Sequence, residues 1–218
     1  MDVLAALRAR RSIRAFRPDP VDATLLRQIL EGAREAPSWS NTRPYLVAIA
    51  TGERLEAIRA GMLAAVDAGV PTPEHAFPTD YPSPLRERRQ ATGYGLYATL
   101  GIDKRDLAGR QHQLRRNFAF FDAPAVMFLY VHEALGTWAV LDCGAFLQAL
   151  LLQATALGLG TCAQATAGAY PEVVARHFAV PDRYRLMCGV AVGYSADAPV
   201  NTFRPEHAPV DELLIAAR

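Results

Sequence analysis

Three short segments of this 218-residue chain hold the residues whose types and spacing could do chemistry. Between residues 8 and 17 fall five arginines, Arg8, Arg10, Arg11, Arg14 and Arg17, with Ser12 among them. Guanidinium groups beside a hydroxyl offer a phosphate several charge-assisted donors, each worth about 1.5–3 kcal/mol once water is excluded. A solvated basic turn paired to surface carboxylates would look the same. The second segment is Ala36-Pro37-Ser38-Trp39-Ser40-Asn41-Thr42-Arg43-Pro44-Tyr45, a polar loop ahead of an apolar run. Its Ser and Asn side chains can read the polar edge of a heterocycle, and Trp39 and Tyr45 offer flat apolar surface. The same residue types also make ordinary turns. The third is Gly158-Leu159-Gly160-Thr161-Cys162-Ala163-Gln164, whose glycines would let backbone N–H groups approach a ligand or simply stop a helix. It completes neither a dinucleotide-binding nor a Walker pattern.

Other chemistries lack their partners. No Gly-x-Ser-x-Gly elbow surrounds Ser12 or Ser38, and His112, His132 and His177 read as surface or satisfied core residues. No His, Asp or Glu pair at helical i and i+4 spacing suggests a ligand set, so no metal is expected. Cys143, Cys162 and Cys188 are odd in number and too widely spaced for a metal knuckle, which favours buried thiols in a reducing cytoplasm.

The elements that must position these segments follow from periodicity. Asp2 can cap a first helix in which Val3, Leu4 and Leu7 share a face. Asp22 can cap a second, with Leu25, Leu26, Ile29 and Leu30 at helical spacing before Pro37. Residues 45–50 read as a buried strand and 53–65 as a helix. Five prolines within 71–84 argue for a loop, and helices are expected over 85–100 and 103–117, the latter capped by Asp103. A second strand is expected over 125–131, a long buried helix over 138–157, a short helix over 171–177 and a third strand over 186–194. The apolar stretch 146–159, broken by Gln148 and Gln153, is too short to span a bilayer. Leu213, Leu214 and Ile215 in the tail need something to pack against. The order implies one α+β domain over 1–218, with helices around a small sheet and no regular strand-helix alternation.

Composition narrows the partners. With 51% hydrophobic residues, and 23 basic against 22 acidic ones, disorder and general nucleic-acid binding are both disfavoured. Lys104 is the only lysine, so the basic charge is almost all arginine. The start lacks a charged stretch leading into an apolar one, so no secretory signal is expected.

Taken in order, Arg10-Arg11-Ser12-Ile13-Arg14-Ala15-Phe16, the loop 36–45, Leu157-Gly158-Leu159-Gly160-Thr161-Cys162 and Cys188-Gly189-Val190-Ala191-Val192-Gly193-Tyr194 resemble the FMN-dependent nitroreductase family. So do the stretch 117–124 and the tail 199–209. The resemblance runs from Leu7 to Glu212. It implies a nitroreductase-like α+β fold with a small, mostly antiparallel sheet, and an interlocked homodimer whose tail crosses to the partner. FMN would be reduced by NADH or NADPH and reoxidised by a nitroaromatic or quinone, by hydride transfer through N5 in a ping-pong cycle. It further implies that Arg10, Arg11, Ser12 and Arg14 grip the flavin phosphate and ribityl chain. Pro37, Ser38, Trp39, Ser40 and Asn41 of the other subunit would border the ring, and Gly160, Gln164 and Ala165 would lie along its N5 edge. Arg204 would complete the phosphate site, with His207 a further cofactor-binding candidate in the tail.

Several positions depart from the family pattern. Trp39 stands where a small residue is common, Arg43 where glutamine is frequent, and His207 where a second tail arginine is usual. Trp39, Phe120, Phe121 and Arg43 are therefore the candidates to face a small aromatic substrate, with Arg43 favouring an anionic one. No side chain is nominated as a general acid. The excursion 71–117 is expected to shape specificity, through Tyr81, Arg86, Arg89, Tyr94 and Tyr97 among others. Reductive dehalogenation, oxidative dehydrogenation or flavin fragmentation on the same scaffold, or flavin binding without turnover, remain alternatives.

Overall fold

The computed structural model describes residues 1–217. Seven helices surround a four-stranded sheet. The helices are α1 (Val3–Ala9), α2 (Ala23–Ala33), α3 (Gly52–Ala68), α4 (Leu85–Thr99), α5 (Leu107–Phe118), α6 (Gly136–Ala156) and α7 (Pro171–Ala175). The strands β1 (Tyr45–Thr51), β2 (Ala125–His132), β3 (Gly160–Gln164) and β4 (Tyr184–Gly193) lie in the order β1-β2-β4-β3, every neighbouring pair antiparallel.

The sheet separates two cores, and alternation of side chains along β2 assigns them. Ala125, Met127, Leu129 and Val131 face α2 and α6, whose Leu26, Ile29, Phe146 and Leu150 fill that side. Val126, Phe128 and Tyr130 face the other side, against Leu55, Ile58 and Met62 of α3 and Val173 and Val174 of α7. Every residue of β2 except His132 is buried, as a strand covered on both faces requires. A register shift between Leu129 and Tyr130, which pair with Cys188 and Leu186, moves β4 by one residue. Leu186 therefore serves one core and Cys188 the other.

Local signals set several boundaries. Asp2 and Asp22 cap α1 and α2, accepting the Ala5 and Thr24 N–H groups at 2.9 and 2.7 Å. Asp103 does not cap α5. It accepts the Arg105 N–H within a preceding turn, and Asp106 caps the helix through Gly109 at 2.8 Å, so α5 starts at Leu107. Gly158, at φ 79°, ends α6 in the left-handed conformation that favours glycine. The glycine-bearing segment after it is not a loop, because residues 160–164 form an edge strand against β4.

Two apolar surfaces find no cover within one chain. The shared face of α1 is exposed at Val3, Leu4 and Leu7, with only Ala6 buried. Trp138, Val140 and Leu141 of α6 are exposed as well. By length and composition alone α6 could cross a membrane, its best window having a mean hydropathy of 1.6. Here its inner face packs on α2 and β2. The tail runs back along α4, where Phe203 lies against Gly95 and Arg88 pairs with Glu212. Beyond it Leu213 and Leu214 are exposed, and Ile215 is 98% exposed.

Candidate functional site

Residues 10–17 cross the end of the sheet as an extended strap. The Ile13 N–H donates to the Thr161 carbonyl at 2.8 Å and the Arg17 N–H to the Tyr194 carbonyl at 2.9 Å, with a parallel bridge joining Ser12 to Thr161. Gly160 permits this approach, since a Cβ there would lie 2.7 Å from Ile13 Cγ1. The tail holds the strap from its other side. Asn201, buried, accepts the Arg14 and Ala15 N–H groups and donates to the Ala15 and Ala196 carbonyls at 2.8 and 2.9 Å. Asn201 lies in the tail segment that carries the resemblance, but the sequence does not show this role, because its partners lie 187 and 186 residues away.

Arg11 and Arg204 consequently line one cavity of about 240 Å³, together with Asn201, Thr202 and the acidic Asp197. Arg11 also lines a second cavity of about 200 Å³ with Ile13, Gly160 and Thr161. The Arg11 Nε is buried and has no hydrogen-bond partner. Buried polar groups are nearly always satisfied, so an orphaned guanidinium nitrogen marks a place for an acceptor. Among the described residues Arg8, Arg10, Arg11, Arg14 and Arg204 form no ion pair, whereas Arg17, Arg27, Arg34, Arg59 and Arg115 do. Apart from Arg17, which pairs with Asp19, the arginines of this segment are thus not neutralised by surface carboxylates. The donor set fits a phosphate.

Ser12 and Arg14 lie beside Cys162. Burial pushes that thiol up to about 11, opposed by the Arg14 charge and the Ser12 hydroxyl. Burial also raises Cys143 to about 11 and Cys188 to about 12. All three cysteines are free and buried. No His, Cys, Asp and Glu cluster among the described residues could hold a metal.

The loop after Pro37 sits elsewhere, and none of its residues lines either arginine cavity. The Trp39 N–H donates to both carboxylate oxygens of Asp142, on α6, at 3.0 and 3.1 Å. The Trp39 ring packs on Trp138 with centroids 4.7 Å apart. Ser38 Oγ accepts the Arg43 N–H at 3.0 Å. Ser40 and Asn41 are exposed and take left-handed backbone. Within one chain the loop and the strap belong to separate surfaces.

Two expectations need correction, that for Phe120 and Phe121 and that for Arg43. Phe120 and Phe121 are fully buried, Phe120 edge-on to Phe128 at 5.6 Å, so they are core residues and face no substrate in this chain. Arg43 turns back on its own loop, donating to Asn41 Oδ1 and to the Arg34 carbonyl at the end of α2. Its charge is spent on that helix end. The Gln164 side chain points inward and donates to the Asn117 carbonyl at 2.7 Å, which leaves only its backbone and the exposed Ala165 toward the outer edge. His207 is exposed and lines a cavity of about 460 Å³ with Arg204 and Arg88, between the tail and α4.

A small antiparallel sheet between helical layers, carrying a cationic strap and a separate polar loop, defines the class as an α+β scaffold with an arginine-rich edge. The chain belongs to the nitroreductase family, whose model matches residues 7–194. It is 35% identical over 204 residues to 4-nitrobenzoate reductase from Pseudomonas putida, covering 93% of this chain and 90% of that protein. The crystal structure of the FMN and NADPH-dependent nitroreductase NfnB from Sphigopyxis sp. strain HMH superposes with a TM-score of 0.95 at 34% identity, covering all of both chains. The FMN-dependent NfnB from Mycobacterium smegmatis, solved with NADPH, superposes at 0.92 with 30% identity, again over all of both chains. The family, the fold and the oxidoreductase class expected from the sequence therefore hold.

Proposed function

We propose that this chain is an FMN-dependent oxidoreductase that passes electrons from NADH or NADPH to a nitroaromatic acceptor, and that it works as a homodimer. The observation that carries the cofactor reading is Arg11, which lines a cavity with Arg204 and has a buried Nε without a partner. Arg10, Arg11, Arg14 and Arg204 would hold the phosphate, with Ser12 beside them. Asn201 keeps the strap in register. Bound FMN would supply two-electron hydride chemistry that no side chain here can perform. The residues bind and orient: the backbone of Gln164 and Ala165 flanks the ring edge, and Ser38, Ser40 and Asn41 present polar groups from the partner's loop.

The dimer reading rests on the uncovered faces of α1 and α6, on the exposed tail end, and on the separation of loop from strap in one chain. Burying Leu213, Leu214 and Ile215 against a second copy would contribute about 1.5–3 kcal/mol each. The residues form one domain, the excursion 71–117 frames the acceptor pocket, and the protein works in the cytoplasm. The resemblance to 4-nitrobenzoate reductases points to a small nitroaromatic as acceptor. Anaerobic turnover with NADH and NADPH on a panel of 4-nitrobenzoate, nitrobenzene, a quinone and a halogenated phenol tests this. Fastest turnover on a nitroaromatic supports the reading, and reduction of the halogenated phenol alone would replace it with reductive dehalogenation.

A further inference from the structure

The loop of residues 37–43 is held in a backbone that it would not adopt unaided. Ser40, Asn41 and Arg43 have φ of 49°, 57° and 46°, and none is glycine. Such conformations persist only where the surroundings determine them. At one end, Arg43 is tied to the Arg34 carbonyl and Ser38 Oγ. At the other, Asp142 holds the backbone N–H of Trp39 and Trp138 packs on its ring.

Asp142 is an anomaly in α6. It is 6% exposed in an apolar stretch, and it is the one acid among the buried polar residues described. Among the described residues it forms no ion pair, and its only donor is the Trp39 N–H, shared between both oxygens. An apolar side chain would pack in α6 at lower desolvation cost, so packing alone does not account for a carboxylate here. Trp138 stands four residues earlier, on the same face of the helix. One turn of α6 therefore fixes both the ring and the backbone N–H of Trp39.

We infer that Asp142 is the positioning residue of this loop, setting the stance in which Ser38, Ser40 and Asn41 meet the flavin. The last step rests on the flavin reading above, whereas the loop-holding step stands without it. With the Asp142 carboxylate removed, the Trp39 N–H loses its acceptor and the loop loses the hydrogen bond that ties its backbone to α6.

The test compares Asp142→Ala and Asp142→Asn with the parent protein. Three quantities are read: amide exchange at Trp39, the near-ultraviolet circular dichroism of the Trp39–Trp138 pair without flavin, and FMN affinity by fluorescence quenching. In Asp142→Ala, Trp39 exchange accelerates, the coupled tryptophan signal falls, and FMN binds about tenfold or more weakly, as the loss of a charged acceptor predicts. Asp142→Asn keeps one acceptor oxygen and restores FMN affinity to within about threefold of the parent, since one hydrogen bond survives. Unchanged Trp39 exchange and FMN affinity in the alanine variant would overturn the inference, as would an asparagine variant that loses as much as alanine. Should Asp142→Ala fail to fold, the parent decides: a Trp39 amide that exchanges as fast as that of Ser40 refutes the anchor. Should the parent bind no FMN, the flavin reading fails, while exchange and dichroism still judge Asp142.

Discussion

Asn201 closes on the backbone of Arg14, its Oδ1 accepting the Arg14 N–H at 2.8 Å while also accepting that of Ala15 at 3.2 Å. A single side chain from the tail thus sets the register of the arginine strap. Asn201→Ala strips the Arg14 and Ala15 N–H groups of their side-chain acceptor and removes one donor each from the Ala15 and Ala196 carbonyls. The expected loss is about 2–3 kcal/mol of stability, the cost of leaving such buried groups unsatisfied. Urea denaturation measures it, and FMN affinity should fall with it because the strap loses its register.

The orphaned nitrogen of Arg11 predicts where a cofactor phosphate is felt. Arg11→Ala and Arg204→Ala should each weaken FMN binding about 10- to 100-fold, the range of one charge-assisted hydrogen bond. The flavin-free melting temperature should stay near that of the parent, because neither arginine makes an ion pair that stabilises the fold. The double variant should lose less than the sum, since both residues line one cavity. Titration of apoprotein with FMN, alongside thermal melts, checks all three.

Phe120 and Trp39 should separate core from site. Phe120→Ala opens a cavity in the core beside Phe128 and should cost about 3–5 kcal/mol, read as a fall in melting temperature. Trp39, 56% exposed on an equally open Trp138, should behave in the opposite way. Trp39→Ala should leave stability within about 1 kcal/mol, as exposed positions do, while changing KM for the acceptor.

The three thiols predict a pH window. Their folded values of about 11, 11 and 12 lie above the ordinary value of 9.0, so the fold favours the neutral form. That contribution is fully present below pH 9 and is lost as pH rises through 11 to 12. Stability measured by denaturant should therefore decline over that alkaline range, and Cys→Ser variants should decline less. At pH 8 the folded protein should leave a thiol reagent unreacted, and denatured protein should titrate three cysteines.

The uncovered apolar surface predicts assembly. Sedimentation at micromolar concentration should give a dimer. Leu214→Asp should shift it toward monomer and release FMN in parallel, if loop and strap meet only across the interface.

Much of this architecture is legible in the sequence where the signal is local. Asp22 with Leu25, Leu26 and Ile29 specifies α2 by a cap and a period. The apolar run after Pro124 specifies β2. Residues 160–164 escape such reading, because five residues containing Gly, Thr, Cys, Ala and Gln carry no strand alternation, and only pairing with β4 makes them a strand. Phe120 and Phe121 read as site residues because they stand in a motif segment, yet only tertiary packing decides which way an aromatic ring points. Asp142 and Asn201 act on backbone 103 and 187 residues distant, and neither periodicity nor a motif encodes such a bond. The five arginines are legible as a cluster, but that four of them, Arg8, Arg10, Arg11 and Arg14, stay unpaired while Arg17 is neutralised by Asp19 is visible only in the fold.

The visible spectrum of the purified protein, recorded before and after anaerobic addition of NADPH, tests the flavin assignment most directly. The account predicts an oxidised flavin spectrum that NADPH bleaches and that 4-nitrobenzoate then restores. A protein that keeps no flavin after mixing with FMN and desalting, or one whose flavin neither NADPH nor NADH reduces, would contradict it.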